Sequence, residues 1–252
     1  MICALIQARL GSTRLSAKTL ADIAGKTLLE RVVLRARAIP GVAAVVVATT
    51  TLAEDDAVAQ CAVRSGATVF RGSEDDVLDR FVGAARQAEA SVVVRITADD
   101  PFKDPDVCGR VLREYLVRAP GVDYVSNTLE PTWPEGLDVE VFSRQTLERA
   151  GREATLRSER EHVTPYIYKH PDRFRIVQVR HDKDLSAERW TLDYPEDLEF
   201  ARAVYERFAP RDIFGMDEVL ALLDSAPEIR SLNRGFMRNA GYLKSLTEDT
   251  AS

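Results

Sequence analysis

Three short stretches of the chain bring together residue types that do chemistry in combination. The first, Arg9-Leu10-Gly11-Ser12-Thr13-Arg14-Leu15-Ser16-Ala17-Lys18, holds a glycine, hydroxyls and three cations within ten residues. Backbone N–H groups and positive charge in one loop suit a polyphosphate; a solvated basic loop is the plainer alternative. The second, Thr97-Ala98-Asp99-Asp100-Pro101, sets two carboxylates side by side. They repel unless a cation or hydrogen bonds offset them, and a Mg²⁺ ion shared with substrate phosphates is the usual solution. A helix N-cap is the alternative, but Asp104, directly ahead of Pro105, fills that role better. In the third, Arg189-Trp190-Thr191-Leu192-Asp193-Tyr194-Pro195-Glu196-Asp197, Asp193 stands where a helix opens at Pro195. Locally that is an N-cap pattern, and spacing alone does not bring Asp193 to Asp99.

Gly25-Lys26-Thr27 imitates the end of a P-loop, but the motif needs a glycine five residues earlier, where Leu20 stands. It is not a Walker A sequence.

The elements that must position these stretches are legible from periodicity. Apolar runs at 2–8, 44–49, 67–70 and 91–97 read as strands, and helical spacing over 28–36, 54–65 and 75–89 falls between them. Four strands alternating with helices predict an α/β fold with a mostly parallel central sheet. Ligands in such sheets bind beyond the carboxyl ends of strands, where the first two stretches lie. Further on, helices are expected at 105–118, 144–152, 157–169, 195–208 and 216–224. Strands are expected near 122–126, 137–142 and 174–179, and 188–192 is expected to be extended. Residues 1–230 form one expected domain, and 231–252 an expected polar, partly mobile tail.

Composition narrows the function classes. The chain has 252 residues, enough for a full core, with 45% hydrophobic and 29% charged residues, which excludes a disordered or fibrous chain. With 34 basic against 40 acidic residues and a net charge of −6, neither a nucleic-acid partner nor a membrane surface is expected. No apolar run approaches the ~18–20 residues of a membrane span, and the start lacks the pattern of a signal peptide. Cys3, Cys61 and Cys108 are scattered, so buried free thiols in a reducing cytoplasm are expected. The three histidines, His162, His170 and His181, form no zinc motif.

The run Ile6-Gln7-Ala8-Arg9-Leu10-Gly11-Ser12-Thr13-Arg14-Leu15 with Lys18 resembles the amino-terminal signature of the cytidylyltransferases that activate sugar acids. These include the 3-deoxy-manno-octulosonate and acylneuraminate enzymes, and the closest resemblance is to the SpsF-like spore-coat-polysaccharide subgroup. Ile23-Ala24-Gly25-Lys26, Arg71-Gly72-Ser73-Glu74-Asp75-Asp76-Val77-Leu78 and Arg95-Ile96-Thr97-Ala98-Asp99-Asp100-Pro101 match as well. So do Trp133-Pro134-Glu135-Gly136-Leu137-Asp138, Ser158-Glu159-Arg160-Glu161-His162-Val163-Thr164-Pro165 and Thr191-Leu192-Asp193-Tyr194-Pro195-Glu196-Asp197.

The resemblance implies a Rossmann-related, GT-A-like nucleotidyltransferase fold and transfer of CMP from CTP to a sugar acid or related acceptor, with release of pyrophosphate. It implies that Arg9, Arg14 and Lys18 stabilise the triphosphate, and that Ala8, Gly11, Ser12, Thr13 and Asp99 bind the nucleotide. Thr49, Thr50, Arg71, Gly72 and Ser73 would hold the base, and Asp99 with Asp193 would bind Mg²⁺. The acceptor is expected over 133–140 and the helix near 158–165. There Trp133 is a plate for a sugar face, and Glu135, Asp138 and Glu140 are partners for hydroxyls. His162 contacts the acceptor, acts as a base, or is simply a surface histidine. Arg160 and Arg189 either hold an acceptor carboxylate or are solvated. An insert at 122–180 would also serve a homodimer. Two departures stand out: relatives read Leu-Pro-Gly-Lys where this chain has Leu15-Ser16-Ala17-Lys18, and Thr49-Thr50-Thr51-Leu52 lacks their early carboxylate. A GT-A-type glycosyltransferase using a nucleotide-sugar and a non-catalytic nucleotide-binding regulator are the alternatives.

Overall fold

The computed structural model describes residues 1–11, 14–236, 238 and 240–249. Strand and helix alternate through the first half: β1 (Ile2–Gln7), a small hairpin of β2 (Asp22–Ile23) and β3 (Lys26–Thr27), α1 (Leu28–Arg37), β4 (Ala44–Thr50), α2 (Asp56–Arg64), β5 (Thr68–Gly72), α3 (Val77–Gln87) and β6 (Val92–Thr97). The second half holds α4 (Pro105–Arg118), β7 (Tyr124–Ser126), β8 (Glu140–Ser143), α5 (Arg144–Glu153), α6 (Arg157–His162), α7 (Pro165–Tyr168) and β9 (Ile176–Gln178). It ends with α8 (Pro195–Phe208), α9 (Met216–Ser225), α10 (Pro227–Arg230) and α11 (Ala240–Asp249).

The main sheet runs β5-β4-β1-β6-β8-β7-β9. β5, β4, β1 and β6 are parallel, β8 is antiparallel to both its neighbours, and β7 pairs parallel with β9. The mostly parallel sheet flanked by helices is the architecture expected from the sequence. From β1 the chain winds outward to β4 and β5, then returns to β6 on β1's other side. The direction therefore reverses between β1 and β6, and a crevice opens at their carboxyl ends. Gln7 pairs with Thr97 there, which brings the Arg9–Lys18 loop and the Asp99-Asp100 stretch to one edge.

Alternation along β1 feeds two cores: Ala4 and Ile6 enter one, Cys3 and Leu5 the other, all fully buried. Leu28, Leu29, Val32, Val33 and Ala36 of α1 close the first core, and full burial of a side chain like Leu29 is worth about 1.5–3 kcal/mol. The Thr27 hydroxyl accepts a hydrogen bond from the Glu30 N–H at 3.2 Å, and the Glu30 carboxylate accepts one from the Thr27 N–H at 2.6 Å. Gly25-Lys26-Thr27 is thus a turn and a capping box.

The helix expected over 157–169 is two short helices, because Val163 turns with φ 73° and Pro165 cannot continue the hydrogen-bond ladder. The extended segment 188–192 joins no sheet. It makes a single bridge, Glu135 to Arg189, and then donates the Leu192 N–H to the Asp99 carbonyl at 2.8 Å. Gly136 makes this approach possible: at φ 102°, an added Cβ would lie 2.7 Å from the Trp190 carbonyl carbon. Part of the stretch expected as a polar tail folds back: Asn233 is buried, and α11 packs against α6. Among the described residues, no helix is long and apolar enough to cross a membrane.

Candidate active site

Lys18 is the centre of the crevice. Its ammonium donates to Asp193 Oδ1 at 2.7 Å, to the Leu192 carbonyl at 2.8 Å and to Asp99 Oδ2 at 3.2 Å. Arg14 donates to the same Asp193 oxygen at 2.6 Å. The three stretches singled out by residue type therefore meet at one point. Asp193 is free for this because it is not the cap of α8. Asp197 takes that role, accepting from the Asp193 and Tyr194 N–H groups at 2.8 and 2.9 Å.

Burial works to raise the Asp99 carboxyl, but the charge and hydrogen bond of Lys18 outweigh it and hold the group at about 2. Burial likewise lowers Lys18, and the charges of Asp99 and Asp193 more than restore it. Asp99 therefore stays ionised and Lys18 protonated at neutral pH.

The two adjacent aspartates have separate roles. Asp100 is buried, accepts from the Thr97 hydroxyl at 2.9 Å and is paired with the fully buried Lys103 at 2.7 Å. Lys103 is the cation that offsets the second carboxylate, and the spacing Asp100-x-x-Lys103 signals it in the sequence. Asp104 caps α4 as expected, accepting from the Asp106 and Val107 N–H groups at 2.7 and 3.1 Å.

From Asp99 and Asp193 a cavity of about 480 Å³ extends past Thr191, Gly136 and Asp138 to His162, Tyr168 and Tyr242. That is within the usual range for a small-molecule site.

A family model for cytidylyltransferases matches residues 3–214. The chain belongs to the cytidylyltransferase family. It is 32% identical over 231 residues to the spore coat polysaccharide biosynthesis protein SpsF of Bacillus subtilis, spanning 89% of this chain and 94% of that protein. It is 31% identical over 252 residues to a 3-deoxy-manno-octulosonate cytidylyltransferase of Anaeromyxobacter, spanning 81% of this chain and 96% of that one. A solved cytidylyltransferase structure from Leptospira borgpetersenii superposes with a TM-score of 0.88 at 28% identity, covering 94% of this chain and 99% of that one. These matches bear out the SpsF-like resemblance and the nucleotidyltransferase fold.

Within this cytidylyltransferase, Arg9 is half exposed and pairs with Glu74 at 3.2 Å. The buried Thr19 hydroxyl bonds the Arg9 carbonyl at 2.7 Å, pinning the start of the loop. Ala8 is buried beside β4, donating its N–H to the Ala48 carbonyl at 3.2 Å. Gly11 is exposed, and Ser12 and Thr13 lie outside the described residues. Ala17 adopts the left-handed region, φ 52°, so the loop keeps there a shape that favours the glycine of its relatives.

The residues expected at the base are partly committed to the fold. The Thr50 hydroxyl bonds Asp55. The Arg71 guanidinium holds Asp56 at 2.5 Å and the Thr50 and Leu52 carbonyls at 2.8 and 2.7 Å. Thr49 is buried with its hydroxyl unpartnered. Ser73 is exposed, accepting from the Asp76 N–H at 3.1 Å, and Gly72 ends β5 beside Arg80.

The structure departs from three expectations on the acceptor side, at Trp133, Arg189 and Arg160. Trp133 is buried, donates its indole N–H to the Val179 carbonyl at 3.0 Å and does not line the cavity, so it is core rather than a sugar plate. Glu140 lines the cavity, with its carboxylate ion-paired to Arg95 and accepting from Tyr124 and Thr164, each at 2.5 Å. Arg189 is buried and forked onto Asp197 at 3.0 Å through two nitrogens, with a third nitrogen on Glu135 at 2.8 Å. It braces the Asp193 turn instead of holding an acceptor carboxylate. Arg160 is spent on Asp76 and on the Gly151 and Ala154 carbonyls.

Glu135 lines the cavity from its pairing with Arg189. Asp138 does so while bound to Arg238 at 2.8 Å, a partner that sequence reading missed because no local pattern links the two. His162 also lines the cavity, with Nε2 on the Ser245 hydroxyl at 2.9 Å, and burial lowers its pKa. Arg95 was a missed floor residue, and an arginine inside the apolar run 91–97 was the available signal.

Proposed function

We propose that the protein transfers CMP from CTP to a hydroxyl of a sugar acid or related acceptor, releasing pyrophosphate. The observation that carries this is the convergence of Arg14, Lys18, Asp99 and Asp193 at the β1–β6 switch point. It is supported by relatives named for 3-deoxy-manno-octulosonate cytidylyl transfer and for spore-coat polysaccharide synthesis.

The acceptor oxygen attacks the α-phosphorus as the bond to the β-phosphate oxygen breaks, so negative charge gathers on phosphate oxygens. Lys18 and Arg14 stand where they stabilise that charge, and Arg9 extends the positive rim toward the loop's outer end. His162, kept neutral at pH 7 by burial, is able to accept the hydroxyl proton.

The donor set fits a Mg²⁺ ion. Asp99 and Asp193 both contact the Lys18 ammonium, at 3.2 and 2.7 Å, and these two carboxylates would hold the ion. Both offer hard oxygen ligands, and Mg²⁺ is commonly held by one or two carboxylates with water and phosphate completing the shell. Among the described residues no cluster of three or more metal-ligating side chains exists. The ion supplies charge neutralisation on the triphosphate when bound.

We further propose one catalytic domain over residues 1–230, a homodimer through 122–180, and a cytoplasmic location. The test is pyrophosphate release from CTP and Mg²⁺ across a panel including 3-deoxy-manno-octulosonate and N-acetylneuraminate. Release that requires both CTP and an acceptor supports the reading; no pyrophosphate from CTP with any acceptor, or nucleotide release from nucleotide-sugars in its place, overturns it.

A further inference from the structure

The family match ends at residue 214, yet the chain beyond it returns to the cavity. Asn233, buried, donates to the Arg189 carbonyl at 2.9 Å and to Asp197 Oδ1 at 3.1 Å. Phe236 stacks on Tyr194 with ring centres 4.3 Å apart. Arg238 pairs with Asp138 at 2.8 Å and donates to the Trp133 carbonyl at 3.3 Å.

α11 then lies along α6. Tyr242 meets His162 edge to face at 5.0 Å and lines the same cavity as Asp99 and Asp193. The Ser245 hydroxyl joins His162 Nε2 at 2.9 Å to Glu161 Oε2 at 3.1 Å. The Asp249 carboxylate accepts from the Ser158 N–H at 2.9 Å. Arg238, Tyr242 and Ser245 thus reach Asp138 and His162, which line the cavity, while Asn233 and Phe236 brace the turn that carries Asp193.

We propose that Arg238, Tyr242 and Ser245 form the acceptor wall of this site and set which acceptor it takes. This rests on the cytidylyl-transfer reading above. The chemistry is that of a polyhydroxylated sugar: Tyr242 presents an aromatic face to ring carbons, and Asp138 accepts from a sugar hydroxyl. Arg238 is a positioning residue that holds the Asp138 carboxylate in place. Arg238 and Tyr242 lie beyond residues 3–214, where the family model matches, and contact Asp138 and His162, so they act on selectivity for the acceptor. The wall also keeps water from the α-phosphorus. If water enters, its oxygen attacks that phosphorus, pyrophosphate leaves, CMP forms and the proton passes to solvent.

The experiment uses the full chain as wild type, Tyr242→Ala, Arg238→Ala and Arg238→Lys. Melting shifts with CTP and Mg²⁺ read the nucleotide end. KM and kcat with 3-deoxy-manno-octulosonate, N-acetylneuraminate, a neutral hexose and an N-acetylhexosamine read the acceptor end, and CMP formation without acceptor reads water entry. Tyr242→Ala and Arg238→Ala are expected to keep the CTP shift while raising acceptor KM about tenfold, the loss of one good contact. Arg238→Lys recovers part of this, since it restores the charge on Asp138. Where the wild type binds CTP but turns over none of these acceptors, faster CMP formation in Tyr242→Ala is the expected result. Unchanged KM, or unchanged CMP formation in that case, overturns the acceptor wall while leaving cytidylyl transfer intact. Wild-type protein that neither binds CTP nor releases pyrophosphate overturns both.

Discussion

The two ends of the cavity handle charge differently. At the nucleotide end the outer cation is lightly held, the Arg9–Glu74 pair being 39% and 41% exposed, while Lys18 sits deeper on Asp99, Leu192 and Asp193. At the acceptor end the cations are locked: Arg189 and Asp197 are 8% and 0% exposed, and Glu135, Asp138 and Glu140 each have an arginine of their own. The first arrangement leaves charge available to a ligand that arrives highly charged. The second spends charge inside the protein, shaping a wall that carries no loose cation among these pairs. A charged side chain near a cavity is therefore a ligand contact or a brace according to its partners, not its type.

Substitution separates the two ends most sharply at their arginines. Arg189→Ala leaves Asp197 and Glu135 buried without their cation and is expected to lower stability by about 3–5 kcal/mol, read by denaturant unfolding. Arg9→Ala removes a surface pair worth at most about 1 kcal/mol, so its melting temperature holds, while kcat/KM for pyrophosphate release falls about 10²-fold. The opposite pattern, a destabilised Arg9→Ala and a stable Arg189→Ala, would break the comparison.

Gly136 is the next test, because the acceptor end depends on its loop lying against 189–192. Gly136→Ala places a Cβ 2.7 Å from the Trp190 carbonyl carbon at φ 102° and is expected to cost about 2–3 kcal/mol in unfolding experiments. A neutral result means the loop is not held as described.

Asp100 lends the site a pH signature. Burial raises its carboxyl from 3.8 to about 7, against the charge of Lys103. A group raised on folding contributes its stability in full below the unfolded value and loses it as pH rises through the folded one. Wild-type protein should therefore gain melting temperature relative to Asp100→Asn as pH falls from about 7 toward 4. A constant difference across that window contradicts the assignment.

The smallest effect is expected at Ala17, held at φ 52° and ψ 24°. Ala17→Gly relieves a left-handed alanine but adds freedom to the unfolded chain, for a net gain of about 0.5–1 kcal/mol in urea unfolding. Loss of stability would show that the loop does not need that conformation.

The same contrast explains what the sequence made legible. The alternating strands and helices of the first half came through because each strand is an apolar run flanked by amphipathic helices. The Lys18 loop and Asp99 were legible because their chemistry is contiguous and follows a strand end. Asp193 was ambiguous locally, since the cap of its helix is Asp197, and only the resemblance tied it to Asp99. Trp133 and Arg189 are committed to the fold because their partners, Val179 and Asp197, become neighbours only through folding. Arg238 and Tyr242 lie about a hundred residues from Asp138 and eighty from His162, in a stretch with no periodic or motif signal. The single helix expected over 157–169 failed at Pro165, a stop signal overruled by the charged, helix-favouring run before it.

The most direct test of the central claim, that Lys18, Asp99 and Asp193 form the metal–triphosphate end, is thermal denaturation with CTP, UTP, GTP and ATP, each with and without Mg²⁺. Wild type, Asp99→Asn and Asp193→Asn are compared. The account predicts a rise for wild type with CTP that Mg²⁺ enlarges, and loss of the Mg²⁺-dependent part in both variants. An equal Mg²⁺-dependent rise in the variants, or a response to nucleotide-sugars with none to any triphosphate, would contradict it.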